Sequence, residues 1–115
     1  MEIEIVREPI SVKKLSEIAE NQFGDLVKAV VDIEREIMAI GGELHADGEA
    51  LLLQEGSRQE NLWGINLYVG KTGEEFIEFD SMINIRPSQD NRSRSVESSE
   101  LRDKIKATVD KLVKE

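Results

Sequence analysis

The sequence predicts an α+β fold, a mixed or mostly antiparallel sheet of about five strands packed by two or three helices. Three observations predict it. Residues 2–7 alternate apolar and polar side chains, 62–69 reads as a strand, and Phe79, Ser81, Ile83 and Ile85 share one face of a strand over 75–85. Apolar residues recur at helical spacing over 12–23 and again over 101–112. Between them, 26–40 is dense in β-branched residues.

In chain order, Ile3 and Ile5 face one way on a first strand, which Pro9 breaks. Ser11 is a good N-cap for a helix carrying Val12, Leu15, Ile18, Ala19 and Phe23, with Gly24 placed to end it. Residues 26–40 fit a helix face or a strand face; their β-branching selects two strands with a turn at Glu34-Arg35-Glu36. Gly41-Gly42 reads as a bulge within the second strand, which continues to Ala46. Asp47–Glu55, rich in Ala and Leu, predicts a short helix stopped by Gly56; the rival reading is an Asp47-Gly48 hairpin turn. Leu62–Val69 and Glu75–Ile85 read as strands joined at Gly70–Gly73, with Pro87 ending the second. Residues 89–99 have the composition of a mobile loop. A last helix carries Leu101, Ile105, Val109 and Leu112, capped by Ser98 or Ser99. The order is roughly β-α-β-β-α-β-β-α.

The 115 residues fit one domain spanning 1–115. With 34% charged residues and a net charge of −9, the surface repels nucleic acid and anionic lipid. The absence of cysteine excludes disulfides, thiolate metal sites and a thiol nucleophile, and it suits a cytoplasmic protein. No apolar stretch approaches the ~20 residues that span a bilayer, and the acidic start Met-Glu-Ile-Glu-Ile is unlike a signal peptide. Phosphate-loop, nucleophile-elbow and His-Glu-x-x-His motifs are missing. The sparse aromatics form no stacking platform for single-stranded RNA.

Two constellations remain. If the strand runs to Ala46, Glu43, His45 and Asp47 share a face. An imidazole between carboxylates suits a divalent metal, or makes His45 a candidate catalytic base; the competing reading is a solvated polar face with Asp47 as a helix cap. The second comprises Asp80, Ser81, Asn84 and Arg86, followed by Ser88, Asn91, Arg92, Ser93 and Arg94. On a strand, Asp80, Asn84 and Arg86 point together, and guanidinium groups suit a small anionic ligand. Against that, the arginines can pair with the protein's own carboxylates and pin the loop. Trp63 reads as a core anchor or the floor of a ligand pocket, with Asn66 as the polar contact on the same strand.

The segments Gly41-Gly42-Glu43-Leu44-His45-Ala46-Asp47, Leu62-Trp63-Gly64-Ile65-Asn66, Ile83-Asn84-Ile85-Arg86-Pro87 and Asn91-Arg92-Ser93 resemble a small bacterial and archaeal family classed as a domain of unknown function. The resemblance covers nearly the whole chain. It implies a stand-alone cytoplasmic prokaryotic protein and brings no activity, cofactor or catalytic residue.

Two functions follow. One is a site for an anion or a metal formed by 43–47 and 80–94, with His45 near Asp80, Asn84 and Arg86. The other is a protein-interaction or regulatory module without catalytic activity, of which a homodimer is one form.

Overall fold

The computed structural model describes residues 3–115. The opening alternation forms β1 (Glu4–Val6), and after Pro9 the two-residue β2 (Ile10–Ser11) leads into α1 (Val12–Glu20). The Ser11 hydroxyl accepts from the Lys14 backbone N–H, as expected of the cap. The β-branched run forms β3 (Leu26–Asp32) and β4 (Ile37–Ile40). α2 (His45–Gln54), β5 (Leu62–Tyr68), the short β6 (Ile77–Glu78), α3 (Ser99–Leu112) and the two-residue β7 (Val113–Lys114) complete the chain.

Five strands form an antiparallel sheet in the order β1-β4-β3-β5-β6. β2 and β7 pair in parallel and tie the beginning of α1 to the end of α3. The expected α+β architecture is therefore present.

Strand alternation divides the core in two. Val27, Ala29, Val31, Met38, Ile40, Trp63, Ile65 and Leu67 point to one face, under Leu15 and Ala19 of α1 and Ile105, Val109 and Leu112 of α3. Val30, Ile37, Ala39 and Leu62 point to the other, under Leu52 of α2. Gly48 lets α2 lie close to the sheet: a Cβ there would stand 3.1 Å from Val30 Cγ2.

Three expectations are corrected. The second strand stops at Ile40; Gly41, at φ 93°, ends it, so the chain does not run extended to Ala46. The helix wins over the hairpin at Asp47-Gly48, and it begins two residues earlier than expected, at His45. The strand expected over 75–85 ends at Glu78. Beyond it the chain folds into single 3-10 turns at Met82–Asn84 and Pro87–Gln89. The Ser81 hydroxyl helps turn the chain by accepting from the Ile83 N–H at 3.3 Å.

The β3–β4 turn is built on Asp32, which is fully buried. Its Oδ1 accepts from the Glu34 and Arg35 N–H groups at 2.9 and 3.0 Å, and its Oδ2 from the Ser57 hydroxyl at 2.6 Å. This carboxylate locks the turn to the segment after α2.

A Cβ on Gly64 would lie 2.6 Å from Ser81 Cβ and Oγ, whereas at Gly70 it would meet nothing within 4 Å. Gly64→Ala is therefore expected to lower unfolding stability by about 1–3 kcal/mol or more, and Gly70→Ala by less than about 0.5 kcal/mol. Urea unfolding of both variants checks this. Equal midpoints would show that the 81–84 segment is not pressed onto β5. Asp32→Ala should cost about 2–4 kcal/mol in the same measurement, since it strands buried donors.

Candidate functional site

At the edge of β5 vacated by β6, side chains replace a strand. The Gly64 N–H donates to Asn84 Oδ1 at 2.8 Å, and Asn84 Nδ2 donates back to Gly64 O at 2.9 Å. A carboxamide thus makes the paired bonds that a neighbouring backbone would make. Asn84 Nδ2 also reaches the Arg94 carbonyl at 3.0 Å. Gly64 must be glycine for this approach, because Ser81 fills the space of its missing side chain.

Arg86 continues the same edge. Its Nη2 donates to Leu62 O, and its Nη1 to Gln59 O at 2.5 Å and Gln89 Oε1 at 2.9 Å. Its guanidinium stacks 4.1 Å from the centre of the Trp63 ring. Burial pulls its pKa below the ordinary value, and Glu49 partly offsets that. Arg86 thus turns its Nη donors inward, while its buried Nε has no partner. Trp63 is fully buried among the core residues.

The segment after Arg86 is held, although its composition reads as a mobile loop. Asn91 is buried; its Nδ2 donates to Asn84 O and Ser95 O, both at 2.7 Å, and its Oδ1 accepts from the Glu97 N–H at 2.9 Å. Arg102 of α3 donates to Val96 O and Ser95 Oγ and stacks on Phe79. Glu97 turns back on the loop and accepts from the Ser93 and Arg92 N–H groups. Bonds from the Ser93 hydroxyl and these amides hold its pKa below the usual carboxylate value. Arg92 faces Asp90 at 3.6 Å, and Ser88 is exposed on its turn.

His45 stands elsewhere than the strand reading placed it. As the first residue of α2 it does not share a strand face with Glu43 and Asp47, which are exposed. Asp47 lies in the first turn, where a carboxylate complements the helix dipole. Among the described residues no group of three or more His, Asp or Glu side chains is placed to hold a metal ion. His45 instead packs onto β5. Its Nε2 lies 2.8 Å from Ile65 O; a carbonyl only accepts, so Nε2 carries the proton and Nδ1 keeps a lone pair in the neutral ring. Burial lowers the His45 pKa, and Lys28 pushes the same way. Ile65 O, Asn66 and Asp80 oppose that shift without cancelling it.

Asn66 connects the segments. Its Nδ2 donates to Glu78 Oε1 at 2.8 Å and to Asp80 O at 3.4 Å. Its Oδ1 lies on the His45 side and favours the protonated ring, yet makes no hydrogen bond of ordinary geometry. Tyr68 donates to Glu78 Oε1 at 3.2 Å, and Arg94 pairs with Asp80 at 2.7 Å. The fold therefore gathers His45, Asn66, Asp80 and Arg94 around one cluster. It turns Arg86, Asn84 and Asn91 to structural work and leaves Ser88 and Arg92 outside. Glu78, Tyr68 and Lys28 join the cluster without having been singled out in the sequence. The register was the only clue: Lys28, Asn66 and Glu78 are cross-strand neighbours on β3, β5 and β6.

A separate groove of about 550 Å³ lies between the Gly70–Gly73 loop and α3, floored by Val69, Phe76, Ile77 and Val109 and flanked by Lys71 and Lys106. None of the candidate residues lines it.

The chain matches, over residues 4–112, the family described as Protein of unknown function (DUF5674). No curated protein and no solved structure matches it. Among the described residues no helix is long and apolar enough to cross a membrane.

Asn84→Ala leaves both backbone groups of Gly64 unpaired and is expected to cost about 2–4 kcal/mol; a urea midpoint equal to that of the parent would contradict the edge-pairing role. His45 should titrate below its usual 6.5 by ring-proton NMR. The folded pKa is the lower one, so the unfolded chain binds the proton first. Stability should fall as pH drops from the unfolded value through the folded one. His45→Gln should remove that part of the pH dependence.

Proposed function

The chain belongs to the DUF5674 family, which brings no function with it, and we propose on geometry alone that it is a binding domain for a small polar ligand held at His45, Asn66, Glu78, Asp80 and Arg94. The observation that carries this reading is the meeting of the 43–47 and 80–94 segments over Asn66. Asn66 is only 7% exposed and keeps an unpaired carbonyl oxygen beside a neutral imidazole. A buried acceptor without a partner costs stability, and a donor admitted by movement of the covering side chains would relieve that cost. The apolar groove is a concavity of about 550 Å³, but the lowered imidazole pKa and the orphaned amide oxygen both lie at the polar cluster. The part of the site first assigned to Arg86 passes to Arg94, since the Arg86 Nη donors go to backbone carbonyls and Gln89.

The interaction reading has one specific observation in its favour. Leu44 and Met82, 59% and 64% exposed, adjoin the cluster in sequence, next to His45 and two residues from Asp80. Large apolar side chains this exposed suit a covered face.

Titration of the isotope-labelled protein with a panel of small polar compounds separates the readings. The ligand reading expects saturable shifts at the His45 ring, the Asn66 side-chain amide and Arg94, abolished in Asn66→Ala. Shifts confined to the groove residues, or none across the panel, would overturn it. The homodimer form expects a mass by light scattering twice that of the chain, reduced by Met82→Glu; a monomer at every concentration would dismiss it.

A further inference from the structure

We propose that the groove between the Gly70–Gly73 loop and α3 docks an extended peptide segment of another protein, with alternating apolar side chains and basic flanks, which adds as a strand to the open edge of β6. The proposal is independent of the polar cluster, whose residues do not line this groove. β6 ends the five-strand sheet, so one of its sides has no strand beside it. Asn66 is opposite Glu78 and Leu67 opposite Ile77, and the Tyr68 N–H donates to Phe76 O at 2.9 Å. Bonded and non-bonded pairs alternate in an antiparallel ladder, so the Ile77 N–H and C=O turn away from β5. Among the described residues no hydrogen bond meets them on that side. A free donor and acceptor on one edge residue are a template for strand addition.

An edge of two residues holds a partner weakly by backbone bonds alone, and the groove beside it supplies apolar contact. Its volume is about 550 Å³, and Val12, Val69, Phe76, Ile77, Val109 and Val113 line it. The Ile77 side chain packs against the core that α3 covers. On an added strand, the residue opposite Ile77 points to that same face, and so does the residue two further on. Both therefore aim at the groove, which accounts for the apolar alternation. Charge selects the flanks. Glu74, Asp110 and Glu115 line the groove, and among the described residues none of them has a Lys or Arg within ion-pair distance. Of the lysines there, Lys71 lies over the Tyr68 ring, 4.8 Å from its centre, which leaves Lys106 to offset the carboxylates. In a protein of net charge −9, that rim attracts a basic segment and repels an acidic one.

The test uses the intact, isotope-labelled protein and four probes: acetyl-Lys-Val-Thr-Val-Lys-amide, the same peptide N-methylated at both valines, acetyl-Glu-Val-Thr-Val-Glu-amide, and hexylammonium. The basic peptide should give saturable NMR shifts at Val69, Ile77 and Val109, and at saturation it should slow exchange of the Ile77 N–H by about tenfold or more. The N-methylated peptide cannot donate to Ile77 O and should bind about fivefold more weakly or worse. Glu74→Gln with Asp110→Asn should weaken the basic peptide by about threefold or more. Glu17→Gln with Glu20→Gln removes as much charge from α1, outside the groove, and should leave binding unchanged. Equal weakening by the two double variants would mean diffuse attraction to an acidic protein and would overturn the proposal. Equal binding of the N-methylated peptide, with Ile77 exchange unaltered, would overturn strand addition. Tighter binding of the acidic peptide would overturn the basic partner. Shifts from hexylammonium with the basic peptide silent would make the groove a small-molecule pocket and overturn the docking site, as would silence from all four probes.

Discussion

The two hydrogen bonds between the Asn84 carboxamide and the Gly64 backbone are the interaction on which the rest of this half of the molecule depends. A sheet edge in the interior of a protein must satisfy its N–H and C=O groups or lose stability. Here β6 covers only the far end of β5, at Asn66 and Leu67. A side chain, and then the Arg86 guanidinium at Leu62 O, supply what backbone would otherwise supply. Because Asn84 also binds Arg94 O, and Asn91 binds Asn84 O, one edge-pairing event fixes the 84–97 segment. That in turn sets Arg94 against Asp80.

The same arrangement explains why polar residues in this loop divide into two classes. Asn84, Asn91, Arg86 and Arg102 donate to backbone carbonyl oxygens, with the Arg86 Nε left buried and without a partner. Their order replaces that of a hydrophobic core in a stretch where, among residues 86–98, only Val96 is a fully buried apolar side chain. The cluster at Asn66 differs in kind, since it ends with one buried acceptor unpaired and, at Glu78, an exposed carboxylate that no described Lys or Arg pairs. Polar richness in the sequence thus joined two unlike roles.

Much of the fold was legible because β-branching and period-two alternation are direct consequences of burial on a sheet. Residues 26–40 were read as strands for that reason, and 101–112 as a helix from its apolar spacing. The alternation Phe79-Ser81-Ile83-Ile85 misled, because Ser81 fits against a glycine and Ile83 packs from a 3-10 turn rather than from a pleat. His45 was placed on a strand since nothing in Gly41-Gly42 distinguishes a bulge from an end; the left-handed Gly41 decides it. The two-residue β2 and β7 carry no periodicity to read. Of the proposed cluster, His45, Asn66, Asp80 and Arg94 were visible as residue types suited to polar recognition. Glu78 and Tyr68 were not, as their membership arises from cross-strand register alone.

The β2–β7 pair joins Ile10 to Val113 and Ser11 to Lys114, so nearly the full chain lies between the partners. Contacts so distant in sequence carry a large loop-closure cost and reward the chain only after the intervening structure exists. The clasp is thus a late event of folding, held by few bonds, and belongs to the part of the molecule that opens most readily. Val12 and Val113, next to and within this clasp, line the apolar groove. Transient release of the chain ends would therefore widen that groove while the central sheet, and the polar cluster on it, stay closed.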